Sequence, residues 1–246
     1  CGAPGLVDLF DQRVSSTDVP DNDGNLFLDP AAGHGTFIAG IINQVAQGCD
    51  ITVHRVAGLY GDTDEYTAAW IIDNLQDVDK YTILNLSFGG YTMDAEAVTL
   101  AAAIRRFQAK GGVVVSSAGN DSTCAPTFPA ALPGVVSVGA VGPAGPALFT
   151  NYGPWVRACA PGVDLTSMFF NGFTGPGGVT PEGTDPDDFF GWCRWSGTSF
   201  SAPVVVGALA RMMMWRECTA AEAVTRVIDA PELMRLPGLG TVVNVI

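Results

Sequence analysis

Four short apolar runs, ITVHRVA (51–57), YTILNLSF (81–88), GGVVVSSAG (111–119) and GVVSVGAV (134–141), alternate with segments whose apolar residues recur three and four apart. Runs that are β-branched and almost continuously apolar read as strands covered on both faces, and strands joined through helices run parallel. The helical segments are TFIAGIINQVA (36–46), DEYTAAWIIDNLQDV (64–78) and DAEAVTLAAAIRRFQAKG (94–111), the last closed by Lys110 and two glycines. The alternation predicts an α/β protein of three α/β/α layers with a mostly parallel central sheet, its functional groups at the carboxyl ends of the strands. At 246 residues, 48% apolar and 15% charged, the chain reads as one domain over 1–246 with a large core. Residues 162–191, rich in Gly and Pro, read as a long exposed loop within it.

Charge narrows the partners. A net charge of -13 repels phosphate backbones and anionic lipid, which argues against nucleic acid and membrane surfaces. No apolar run reaches the roughly 18 residues of a membrane span, and the chain is read as a monomer with soluble partners. Cys1, Cys49, Cys124, Cys159, Cys193 and Cys218 include no CxxC pair, so they do not resemble a zinc site. They allow either three disulfides or buried free thiols. The chain begins at Cys1 rather than Met, which reads as a processed chain or a fragment.

WSGTSFSAPVVVGALARMMMW (195–215) sets Gly197, Thr198, Ser199 and Pro203 at the start of a helix apolar almost all round, and so buried. The helix is read as starting at or next to Ser199, with Thr198 and Ser201 capping first-turn amides and Pro203 tolerated early. Ser199 then sits at the positive end of the helix dipole. Of the two histidines, His54 lies within a strand pattern and reads as structural, whereas His34 is flanked by glycines where Thr36 opens an apolar helix. Asn120 follows Gly119 directly after the run at 111–117, where an amide is placed to donate to a developing oxyanion.

Taken together, these stretches resemble the subtilisin-like serine protease (subtilase) family. The family's HGTxxAG is matched by His34-Gly35-Thr36 and Ala39-Gly40, and its GTSxxxP by Gly197-Thr198-Ser199 and Pro203; its oxyanion asparagine is matched by Asn120 after Ala118-Gly119. The resemblance implies Ser199 as nucleophile, His34 as general base and Asn120 as oxyanion donor. It implies a polypeptide substrate laid along Leu86, Ser87, Phe88 and Gly89 and along Ser117, Ala118 and Gly119, no catalytic cofactor, and secretion. Phe37, where many relatives have a second histidine, is expected to pack under the cleft.

The family's Asp-Thr/Ser-Gly is not found between Cys1 and His34. The expectation is that the strand carrying this acid precedes Cys1; the alternative is that Asp8 or Asp11 takes its place. In subtilisin, loss of the acid alone costs about 3 × 10⁴ in kcat and loss of the serine or histidine about 2 × 10⁶, so a chain without the acid keeps a trace of activity. The acidic stretch DVPDNDGN (18–25) suggests a structural calcium site, although it lacks the EF-hand spacing. Two functions are carried forward: a serine endopeptidase, and a non-catalytic peptide-binding module that keeps the cleft.

Overall fold

A computed structural model describes residues 20–21, 24–58, 60–75, 82–92, 97–175, 178–180, 183–185 and 188–244. The helices that frame the sheet are α1 (His34–Val45), α2 (Glu65–Asp73), α3 (Val98–Ala109), α4 (Thr198–Arg216) and the short α5 (Ala220–Val224), which runs on into a π-helical turn. The sheet is built on β1 (Ile83–Leu86), β2 (Val113–Ser117), β3 (Val136–Gly142) and β5 (Ala158–Pro161). The short strands β4 (Gly145–Pro146), β10 (Arg235–Leu236) and β11 (Gly240–Val242) complete it, in the order β1-β2-β3-β5-β11-β10 with β4 on β3. The pairings β1–β2, β2–β3, β3–β5 and β5–β11 are parallel, while β4 and β10 run antiparallel.

Two adjacent residues show why the run at 113–117 is a central strand. Val114 and Val115 are both fully buried, yet they face opposite ways. Val115 joins an apolar cluster with Phe37, Ile41, Val205 and Leu209 of α1 and α4, whereas Val114 joins one with Ala69, Ile72, Ile104 and Phe107 of α2 and α3. A period of two between two helical layers requires apolar residues at every position of the strand. The three-layer α/β/α architecture is thus the one anticipated from the alternation of runs.

Several boundaries differ from expectation. Residues 51–56 form no strand. This segment lines a cavity of about 1330 Å³ whose opposite wall includes Ile83, Leu84, Asn85 and Leu86 of β1. A strand exists by virtue of a paired neighbour, and among the described residues 51–57 pairs with none. Among the described residues β1 is accordingly an edge strand. Residues 162–191 do not form a loop: β6 (Leu165–Thr174) and β9 (Asp188–Trp195) pair as an antiparallel ribbon, with the short hairpin β7 (Gly178–Thr180) and β8 (Gly183–Asp185) between them. The ribbon is anchored by aromatic packing, with Phe169 touching Phe170, Phe189 and Trp195. Helix α4 is buried from Thr198 to Leu209 apart from a half-buried Ser199, but its last turns emerge and Trp215 is exposed, so the helix is not buried to its end.

Cys49, Cys124, Cys159, Cys193 and Cys218 are all free thiols, so no disulfide joins any two of them. Burial pushes the Cys159 and Cys193 thiols up to about 11, leaving both protonated near neutrality. Asp21 accepts hydrogen bonds from the backbone N–H groups of Asn25 (3.0 Å) and Leu26 (2.8 Å), which ties the acidic stretch into a turn. Asp18, Asn22 and Asp23 lie outside the described residues. Among the described residues no group of three or more His, Cys, Asp or Glu side chains could hold a metal ion, and no helix is long and apolar enough to cross a membrane.

Candidate active site

β1 and β2 are parallel neighbours in register from Ile83↔Val113 to Leu86↔Ser116, so the chain leaves both strands at the same end of the sheet. Segments 86–90 and 116–120 therefore leave the sheet side by side. Leu86, Ser117 and Ala118 are buried in the process, whereas Phe88 and Gly119 are half-buried and Gly89 is exposed. Of the residues expected to line a substrate, Phe88, Gly89 and Gly119 thus keep open surface. Gly90 exchanges two backbone hydrogen bonds of 2.9 Å with Phe128, bracing the first segment from outside.

Ser199 is the second residue of α4, after the cap residue Gly197 and Thr198. Neither Thr198 nor Ser201 caps the helix as expected: α4 has no side-chain cap, and the buried Ser201 hydroxyl has no partner among the described residues. The first-turn amide is satisfied from across the sheet instead. Thr198 lies inside the helix, where its N–H and Oγ1 both donate to Asn120 Oδ1 at 2.9 Å, and Gly119 N–H donates to Thr198 Oγ1 at 3.1 Å. With Oδ1 occupied twice, the Asn120 Nδ2 amide is the end that remains for donation, and a Cβ on Gly197 would lie 3.7 Å from it.

Pro203 has a more specific place than an early-helix residue. It is the sixth residue of α4, beyond the first turn, and lacks the N–H that would bond the carbonyl four residues back, which is Ser199 O. That carbonyl is taken by the Ser87 hydroxyl at 2.8 Å, itself receiving a hydrogen bond from Asn85 Nδ2 at 2.9 Å. In return Ser199 Oγ donates to Ser87 O at 3.3 Å. Sequence reading missed Ser87 as a side-chain partner, because only the proline four residues after Ser199 signals an orphaned carbonyl.

His34 opens α1, with Gly33 before it in the left-handed region at φ 74°. A Cβ at Gly33 would collide with the Phe169 ring at 2.1 Å, so both conformation and contact require glycine there. The imidazole packs edge-on against Trp195 (ring centroids 5.8 Å apart) and tilted against Phe200 (5.5 Å), the residue next to Ser199. Burial among these groups pushes its pKa below the ordinary histidine value, because the charged form loses hydration. The structure packs the His34 ring on Phe200, the chain neighbour of Ser199, but no hydrogen bond joins His34 and Ser199 among the described residues. Phe37 is fully buried beneath, packed on Trp195 and Phe200. His54 is exposed, not packed in a strand.

His34 also lines the 1330 Å³ cavity, together with the buried Asp29, the segment 51–57 and β1. A buried Oδ1 of Asn85, on β1, has no hydrogen-bond partner among the described residues. Asp8 and Asp11, the alternatives for the triad acid, lie outside the described residues.

The sequence profile of the subtilase family matches residues 8–228. A subtilisin-like protease of Coccidioides posadasii is 30% identical over 224 residues, covering 84% of this chain and 48% of that protein. An extracellular serine proteinase of a Thermus species is 30% identical over 193 residues, covering 74% of this chain and 42% of that one. The chain spans about half the length of the curated relatives it matches. A solved lanthipeptide protease superposes with a TM-score of 0.69 at 26% identity, covering 87% of this chain and 73% of that one.

Proposed function

The chain belongs to the subtilase family, and on that premise we propose that it is a serine endopeptidase. Ser199 Oγ attacks the peptide carbonyl; His34 takes its proton and delivers it to the leaving amine; the oxyanion is held by Asn120 Nδ2 and the Ser199 backbone N–H. The observation that carries the reading is the double hold of Thr198 on Asn120 Oδ1, which engages the amide's oxygen at the start of α4 and leaves Nδ2 as the end available for donation. The substrate is an extended polypeptide laid against 88–90 and 119. An orienting carboxylate for His34 fits the cavity beside the imidazole, whose apolar walls suit the extended segment that bears the acid in this family. Secretion goes with the reading, since the Thermus relative is an extracellular proteinase.

The second reading, a peptide-binding module without catalysis, is favoured by one feature: the Ser199 hydroxyl donates to Ser87 O and not to the imidazole. Catalytic hydrogen bonds often form only in the complex, so this arrangement does not decide between the two. A fluorophosphonate probe does. The full-length protein is expected to take the label on Ser199, and His34→Ala to abolish it. A folded full-length sample that stays unlabelled ends the endopeptidase reading and leaves the binding module.

A further inference from the structure

Asn151 is fully buried and belongs to none of the steps above, yet its hydrogen bonds converge on the chain that carries Asn120. Its Oδ1 accepts from the backbone N–H groups of Asp121 (2.9 Å) and Thr123 (3.2 Å). Its Nδ2 donates to Ala118 O (3.0 Å) and to the Tyr91 hydroxyl (3.2 Å), and its own backbone N–H donates to Gly119 O (2.9 Å). The Tyr91 hydroxyl passes the connection on to Asp121 Oδ2 at 2.7 Å. One buried side chain and its amide thus bond residues 118, 119, 121 and 123, on both sides of Asn120 and never Asn120 itself. Gly119, at φ 103°, makes this possible: a Cβ there would lie 2.4 Å from Asn151 Nδ2.

Asn120 is consequently gripped twice. Thr198 fixes its side-chain oxygen, while Asn151 fixes the backbone from which the side chain springs. An amide serves an oxyanion only when its hydrogen is aimed before the charge develops, and a donor free to swing loses that advantage. We propose that Asn151 is a positioning residue for the oxyanion donor, holding the 118–123 turn so that Asn120 Nδ2 points over Ser199. The proposal rests on the endopeptidase reading above for the role of Asn120; the hold on the turn stands independently of it.

Truncation at Asn151 leaves two backbone N–H groups without their acceptor, whereas Ala118 O keeps its bond from Thr127 Oγ1 at 2.8 Å. The experiment combines amide hydrogen exchange by NMR with the kinetics of fluorophosphonate labelling. In Asn151→Ala the amides of Asp121 and Thr123 are expected to exchange at least about tenfold faster, as loss of one hydrogen bond implies, while Val114 and Val115 keep the parent's protection. Labelling at saturating probe is expected to slow by about tenfold, short of the roughly 10²–10³ that loss of a whole oxyanion donor costs, with the half-saturating concentration unchanged. A merely structural role lowers the melting temperature without moving that split. Tyr91→Phe, which removes only a half-exposed hydroxyl and preserves the fold, is expected to act in the same direction more weakly. Asn151→Asp, which retains the acceptor for both amides, is expected to restore part of the exchange protection. Unchanged exchange at Asp121 and Thr123 in both Asn151→Ala and Tyr91→Phe overturns the hold. Faster exchange with unchanged labelling overturns the positioning role. A parent protein that takes no label removes the oxyanion role and the positioning role together, and the exchange data tell that outcome from failure of the hold.

Discussion

His34 carries a charge dependence that its surroundings dictate. Half-buried against Trp195 and Phe200, its imidazole is pushed by lost hydration below the ordinary value of 6.5, near which it titrates in the unfolded chain. In the window just below 6.5 the unfolded state therefore binds more protons, so stability is full above the window and falls as pH drops through it. His34→Gln is expected to lose less stability than the parent between about pH 7.5 and pH 5.5, read as the shift in urea midpoint. An equal loss in both proteins would mean that the ring is hydrated in the folded state. Residues such as His34 and Ser199 were legible in the sequence because their neighbours Gly33, Gly35 and Gly197 announce constrained backbone. Asn151 was not, and Ser87 was read only as a residue along the substrate, because each is a lone polar residue whose side-chain partner, Asp121 or Ser199, lies 30 or 112 positions away.

Helix α4 is joined to the end of β1 by the reciprocal bonds between Ser87 and Ser199, and Pro203 is the reason one of them is needed. Ser87→Ala leaves a half-buried carbonyl unpaired, an effect of about 1–3 kcal/mol. Adding Pro203→Ala returns an N–H to the position that can bond Ser199 O, so the double variant is expected to be more stable than the sum of the single changes predicts. Chemical denaturation of the four proteins of the cycle measures this, and strict additivity would show that Pro203 and Ser87 act separately. The same scale shows where pattern reading succeeds. β2 and β3 were legible because strands covered on both faces have a continuous apolar signature that few other elements share. The ribbon β6–β9 was not: its ladder shifts register between Met168 and Asn171 and again between Asn171 and Phe173, which breaks simple alternation, and its glycines mimic a loop. The run at 51–57 misled in the opposite direction, since apolar residues that line a cavity look the same in sequence as residues that pair.

Across the whole molecule, the two apolar clusters, one gathered by α1 and α4 and the other by α2 and α3, meet at β2, whose Val115 packs into the first and Val114 into the second. A strand packed on both sides couples the two layers, so calorimetry of the chain is expected to give equal van't Hoff and calorimetric enthalpies. A van't Hoff enthalpy below the calorimetric one would show that the layers unfold in separate steps. The aromatic ribbon meets the histidine from both of its strands: Phe169 of β6 fills the place that a side chain on Gly33 would occupy, and Trp195 of β9 flanks the ring. The seat of His34 is therefore built by a ribbon that lies more than 120 positions away in the chain, so the start of α1 takes its shape only once both strands of that ribbon are in place.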